Sequence, residues 1–178
     1  MTEAAYSFEA VDKAFGVFRA AYPAKGPMKA ASNPDELKLI DTEDLVPIHD
    51  GPGQEAPGNA PEIVRYPDGV RLWAVRPEDV VHAAEMCAFG SGFANGVIKH
   101  TNLTGGTSAH CAGELIILDD ATLVVNGGSG RYGPSSEAEM FAVAKAFRDS
   151  GYGVWYYAYD DESGQAFRFG SRLPEWLA

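Results

Sequence analysis

The sequence predicts an α+β fold, a mostly antiparallel sheet of meander and hairpins with two or three packed helices. Three observations predict it. Short apolar runs succeed one another across residues 96–128 with brief turns between them, and closely spaced strands pair antiparallel. Two stretches, 7–22 and 135–149, carry the three- and four-residue apolar spacing of amphipathic helices. Strands and helices do not alternate strictly, as a parallel α/β sheet requires.

Residues 7–22, SFEAVDKAFGVFRAAY, bring Phe8, Val11, Phe15, Phe18 and Tyr22 onto one face, with Ser7 as a cap and Pro23 as a stop. The stripe reads as a core-packing helix in preference to a partner-binding one. Residues 23–61 carry Pro23, Pro27, Pro34, Pro47, Pro52 and Pro57 among glycines and acids, and read as a long loop or flap. EIVRY (62–66) and RLWAV (71–75) flank Pro67-Asp68-Gly69 and read as a hairpin. Pro77-Glu78-Asp79 reads as a helix start, with Val80, Val81, Ala84, Cys87 and Ala88 on its buried side. Three strands follow, GVIKHTNL (96–103), HCAGELIILDD (110–120) and TLVVNGG (122–128). The helix over 135–149 is capped by Ser135 or Ser136, buries Met140, Val143, Ala144 and Phe147, and ends at Gly151. GVWYYAY (153–159) and QAFRFG (165–170) close the chain as a hairpin around 160–164.

The 178 residues fit a single domain over 1–178. Hydrophobic residues at 46% and charged ones at 22% exclude a wholly disordered or fibrous chain. Lys+Arg at 14 against Asp+Glu at 25 give a charge of −11, which argues against direct nucleic-acid or anionic-membrane binding. The opening MTEAAYSFEA has no basic or apolar leader, and no apolar stretch is long enough to span a bilayer. Cys87 and Cys111 are far apart and form no CxxC pair, so reduced thiols and a cytoplasmic location are expected. His49, His82 and His110 lack metal-ligand spacing, no motif indicates a cofactor, and His82 between Glu78 and Glu85 reads as part of a surface ion pair.

The densest polar cluster lies between 99 and 134. In Asn126-Gly127-Gly128-Ser129-Gly130-Arg131-Tyr132-Gly133-Pro134 a glycine-rich turn runs into a helix start, where free N–H groups and an arginine suit a phosphate or carboxylate. The segment matches neither GxxxxGK[ST] nor GxGxxG, and a plain strand-to-helix turn with an exposed Arg131 is the competing reading. His100 is a natural acid–base group, and Glu114 interrupts the apolar run AGELIIL, where a buried carboxylate needs a partner. A His100–Glu114 pair would meet that need; a solvent-facing Glu114 is the alternative. Asp160-Asp161-Glu162 lacks the pattern of a calcium loop.

The stretch 100–134 resembles uncharacterised bacterial domains, some of them toxin-associated, with a His-Ser/Thr, Gly, Ala-Gly-Glu, Ser-Gly-His/Arg-Tyr and Pro pattern. The matching residues are His100, Thr101, Gly105 or Gly106, Ala112, Gly113, Glu114, Ser129, Gly130, Arg131, Tyr132 and Pro134. The resemblance carries no activity; it implies that these residues act together. A looser similarity to ADP-ribosyltransferases would cast His100 and Tyr132 with Glu114 or Asp160, but the helix that family places between the first two is not expected here.

The resulting expectation is a polar pocket for an anionic small molecule, such as a nucleotide. Thr101, Asn102, Ser129, Gly130 and Arg131 would bind it, and His100, Glu114 and Tyr132 would do transferase or hydrolase chemistry. The alternative is an acidic inhibitor or immunity-type protein that covers a basic protein partner.

Overall fold

Strand alternation decides which side chains meet. The computed structural model describes residues 5–53 and 57–178. The elements are α1 (Glu9–Ala21), a 3-10 turn (Pro34–Leu37), β1 (Val46–Pro47), β2 (Arg71–Val75), β3 (Val80–Ala84), α2 (His100–Thr104), β4 (Cys111–Asp119), β5 (Thr122–Asn126), α3 (Glu137–Asp149), β6 (Gly153–Tyr156), β7 (Tyr159–Asp160), β8 (Gln165–Ala166) and β9 (Glu175–Trp176). Seven strands form one sheet in the order β1-β3-β2-β4-β5-β6-β9, and β7 and β8 form a separate small ribbon. Pairing is antiparallel except between β5 and β6, where α3 supplies the crossover that a parallel pair needs. The α+β class therefore stands as the sequence predicts.

Period-two alternation sends Trp73, Val75, Cys111, Leu115, Val125 and Val154 to one face, where Phe15, Met140 and Phe147 of α1 and α3 cover them. The rings of Phe15 and Trp73 both meet Phe147 edge-on, at 5.1 and 5.3 Å. The interleaved Leu72, Ala74 and Ala112 face the other way and pack with Ile40, Ile98, Leu103 and Tyr132. Glu114 and Asn126 share the parity of this second face. It is roofed by α2 and by residues 23–45, so the polar residues of the site stand opposite the two long helices. No helix among the described residues is long and apolar enough to cross a membrane.

Several elements differ from expectation. Residues 62–66 form no strand; Pro61 and Pro67 remove ladder donors at both ends, and Val64 and Tyr66 are exposed. The partner of β2 is β3, where a helix was expected. Asp79 binds Arg76 through both carboxylate oxygens at 2.7 Å and Arg76 N–H bonds the Asp79 carbonyl, which closes a hairpin turn. Val80–Ala83 are buried on both faces, and a short apolar run of this kind has no helical period of its own. The strand expected over 96–103 is replaced by α2. Asn102 Oδ1 accepts the Lys99 N–H at 2.8 Å as its cap, and Gly105 at φ 66° ends it. The closing hairpin shrinks to β7 and β8.

Residues 23–45 lie against the body as a belt. Lys25 pairs with Ala109, Met28 N–H bonds the Arg131 carbonyl, and Asn102 Nδ2 donates to the carbonyls of Asp35 and Lys38.

Gly113 marks where the sheet tolerates no side chain. A Cβ there would overlap the Asn126 carbonyl oxygen and sit 2.7 Å from the Trp73 indole, whereas one at Gly130 would meet nothing within 4 Å. Gly113→Ala is expected to cost about 2–3 kcal/mol and lower the melting temperature by roughly 5 °C or more. Gly130→Ala should stay within about 0.5 kcal/mol of the parent. Equal melting curves for the two variants would contradict this packing.

Candidate functional site

Glu114 and Asn126 face each other across the β4–β5 register. Asn126 Oδ1 accepts the N–H groups of Glu114 (3.0 Å) and Gly128 (2.9 Å), which fixes its amide orientation. Its Nδ2 then donates to Glu114 Oε1 at 3.1 Å. The carboxylate is thereby held against Gly128, where a Cβ would stand 2.7 Å from Oε1. Among the described residues nothing donates to Oε2. Glu114 opens into a cavity of about 560 Å³ walled by Gly127 to Gly130, Pro134, Ser135, Met28 of the belt, and Tyr159, Gln165, Ala166 and Arg168 around the β7–β8 ribbon.

A second cavity of about 360 Å³ lies across Gly130. It is lined by Lys29, Ser32, Asn33, Glu36, Asn95, Lys99, His100, Gly130 and Arg131. Arg131 is largely buried; it donates to Thr101 Oγ1 at 3.0 Å and to Glu36 Oε2 at 2.7 Å. Glu36 also accepts the Ser32 N–H at 2.7 Å. Its carboxyl is held below the usual range by that backbone bond and by Arg131, against the opposing effect of burial.

The expected residues separate into three groups. His100 and Arg131 line the second cavity, Ser129 and Glu114 the first, and Gly130 both. Thr101 and Asn102 are fully buried supports, one beneath Arg131 and one joining α2 to the belt. Tyr132 has no exposure, and its hydroxyl bonds Thr104 Oγ1 (2.9 Å) and the Thr107 carbonyl (2.8 Å), so it props the core and lines neither cavity. The His100–Glu114 hydrogen bond is not formed: His100 Nε2 bonds the Gly113 carbonyl at 2.8 Å. The competing reading of an exposed Arg131 does not hold, since Arg131 is buried and ion-paired with Glu36.

The start of α3 is also already occupied. Ser136 Oγ accepts the Glu139 N–H and Asp161 Oδ1 accepts the Glu137 N–H, while Glu137 Oε2 accepts the Tyr159 N–H in return. The anion at that helix terminus is the chain's own Asp161. Asp160 is spent within its turn, accepting the Glu162 N–H. Among the described residues no group of three or more His, Cys, Asp or Glu is placed to hold a metal. Both thiols are free, and burial pushes the Cys111 thiol well up, away from reactivity.

Burial, helped by Arg131 and Lys99, pushes the His100 imidazole down to about 4. His82 is no surface ion-pair member; it sits buried in β3, accepts from Arg71 Nε at 2.7 Å, and is pushed down to about 3, chiefly by burial. Burial raises the Glu114 carboxyl, against the Asn126 hydrogen bond. A lowered folded-state value means that unfolding takes up a proton. The stability contributed by His100 is therefore complete above about pH 6.5 and is lost as the pH falls toward about 4. His82 adds a loss of the same sign, and Glu114, with the opposite shift, offsets part of it. Calorimetric melting temperatures should fall over this range, and His100→Gln should flatten part of the slope; an unchanged slope in that variant would contradict a neutral buried imidazole.

Arg131→Ala leaves Glu36 without its cation. The pair keeps some exposure at the cavity wall, which holds the cost below the roughly 3–5 kcal/mol of a fully buried pair, and a loss of about 2–3 kcal/mol is expected. Replacing both partners together, Arg131→Met with Glu36→Leu, should recover part of that loss in denaturant titrations. No recovery would mean that the pair is not the unit that holds the belt.

Sequence reasoning missed Lys29, Ser32, Asn33 and Glu36, which lie in the Pro-rich stretch read as a loop, and Asn95, Gln165 and Arg168. One local signal was available: Asn33 before Pro34 is a helix-start pattern, and Asn33 Oδ1 does accept the Asp35 N–H at 3.0 Å. No signal in sequence ties Glu36 to Arg131. No protein-family model matches the chain, and neither the curated proteins nor the solved structures contain one significantly similar to it.

Proposed function

We propose that the protein binds a small anionic molecule, of the phosphate or carboxylate class, in the cavity between the belt and α2. The observation that carries this reading is the meeting of Lys29, Lys99 and Arg131 on one cavity of about 360 Å³ in a chain of net charge −11. Glu36 cancels one of the three charges through its ion pair, which leaves a local surplus of two. At physiological salt the screening length is about 8 Å, so an anion inside the cavity responds to these cations and little to distant carboxylates. Each such charge near a half-exposed anion contributes attraction that must outweigh the cost of ordering and desolvating the ligand, so a weak affinity for bare phosphate is expected.

The roles divide by position. Lys99 and Lys29 supply attraction, and Ser32, Asn33 and Asn95 supply neutral hydrogen bonds. Arg131 shapes the wall more than it grips, because Thr101 and Glu36 already engage it. His100 spends one ring nitrogen on Gly113, and its neutral ring leaves Nδ1 as an acceptor for a protonated ligand oxygen. A proton shuttle between His100 and Glu114 is not part of the proposal, since the two groups line different cavities.

Lys99→Ala is expected to weaken inorganic phosphate binding about ten-fold in calorimetric titration, and Lys29→Ala, more exposed, by less. Affinity in the parent should fall as salt rises. Salt-independent binding, or none that responds to Lys99, would overturn the assignment.

A further inference from the structure

The two cavities meet at Gly130, which among the described residues is the one that lines both. A side chain there would stand in open space, so the ridge between them is bare backbone. A ligand anchored by its anion beside Lys99 can therefore lay its next few atoms across Gly130 toward Glu114. Together the cavities fall within the usual size range of small-molecule sites, about 300–1,000 Å³.

Glu114 is prepared for such a ligand. Its Oε1 is tied to Asn126, whose own amide is pinned by two backbone donors, which favours one orientation of the carboxylate. Glu114 lines the cavity, and its Oε2 has no donor among the described residues. Among the described residues the one buried side-chain polar atom without a partner is the Tyr157 hydroxyl, so Glu114 Oε2 is reachable from the cavity and free to accept from a ligand donor. What donates can be narrowed by charge. Arg168 lines the same cavity and interacts electrostatically with Glu114, and an ammonium or guanidinium group would be repelled by it. Burial also holds the carboxyl above its ordinary range, which weakens it as a cation site. Neutral hydroxyls suffer neither penalty. One carboxylate can accept from two adjacent hydroxyls, while Ser129 and Gln165 offer further polar contacts and Met28 an apolar face for a ring.

We infer that the Glu114 cavity takes the vicinal hydroxyls of a phosphorylated sugar, either free or as the ribose phosphate of a nucleotide, whose phosphate sits among Lys29, Lys99 and Arg131. The inference rests on the anion-binding reading above and names the ligand class for it.

Titration of the full chain with inorganic phosphate, ribose 5-phosphate and 2-deoxyribose 5-phosphate tests it. Ribose 5-phosphate should bind about ten-fold or more tightly than phosphate, and the deoxy sugar should lose most of that gain. Glu114→Gln keeps an oxygen for Asn126 but puts a donor where the open acceptor stands. Glu114→Ala removes the group altogether. Both should reduce ribose 5-phosphate to the level of phosphate while phosphate itself binds as in the parent, with melting curves confirming that at least the Gln variant is folded. An adenosine 5′-monophosphate arm separates the sources: tighter than ribose 5-phosphate assigns the nucleotide, weaker the free sugar, and the proposal holds in both cases. If ribose 5-phosphate gains nothing over phosphate, or the gain survives both Glu114 variants, the sugar assignment is overturned and the anion site stands. If neither probe binds, both fall.

Discussion

One guanidinium joins three separate pieces of chain. Arg131 belongs to the loop after β5, donates to Thr101 in α2 and to Glu36 in the belt, and through its backbone carbonyl receives the N–H of Met28. Lys25 adds a second tie, donating to the Gly133 carbonyl at 2.6 Å. Both cavities have a belt residue as one wall and this loop as another. Their existence therefore depends on contacts that hold belt and loop together. The arrangement has a chemical consequence. An arginine already engaged by a carboxylate and a hydroxyl is a weaker clamp for a ligand, so at the proposed anion site the lysines at 29 and 99 would supply the net attraction.

The two long helices are legible because their periodicity is local and their burial one-sided. α1 and α3 each show one apolar stripe and an opposite polar face, and both appear within two residues of the expected bounds. β4 and β5 follow from runs of apolar residues with a turn between them. The misread parts have burial on both sides or on neither. Val80–Ala83 are all buried, Val80 in the core with α1 and α3, and Val81 and Ala83 in the core with Ile40 and Leu103, so their pattern has no period to read. His100–Thr104 form a five-residue helix that is buried throughout, with a cap from Asn102 that looks like any other polar residue in a strand. Residues 62–66 have strand composition but no neighbour to pair with, because β2 is already flanked by β3 and β4.

For the site, the sequence marks the right loop and the wrong partners. Gly130 lines both cavities and Gly127 to Ser129 the first, and both His100 and Glu114 stand at cavity walls. What sequence cannot convey is pairing across long separations. Glu36 meets Arg131 from 95 residues away, and Asn126 meets Glu114 from 12. Each pairing changes the chemistry of the residue it engages. Asn126 turns Glu114 from a candidate partner of His100 into a fixed acceptor. The Gly113 carbonyl, burial and the nearby cations turn His100 from a neutral-pH acid–base group into an uncharged ring.

A strongly acidic chain with a cationic cavity is not a contradiction once length scales are compared. A nucleic-acid strand or an anionic membrane presents charge over tens of ångströms, and it meets the summed repulsion of the whole surface. A small dianion at the proposed site would lie within one screening length of Lys29, Lys99 and Arg131, and of Glu36, whose charge Arg131 offsets. On the proposed reading, the same charge distribution would repel polyanions and admit small ones. The size of the cavity and the reach of screening, more than the count of charges, set what can bind.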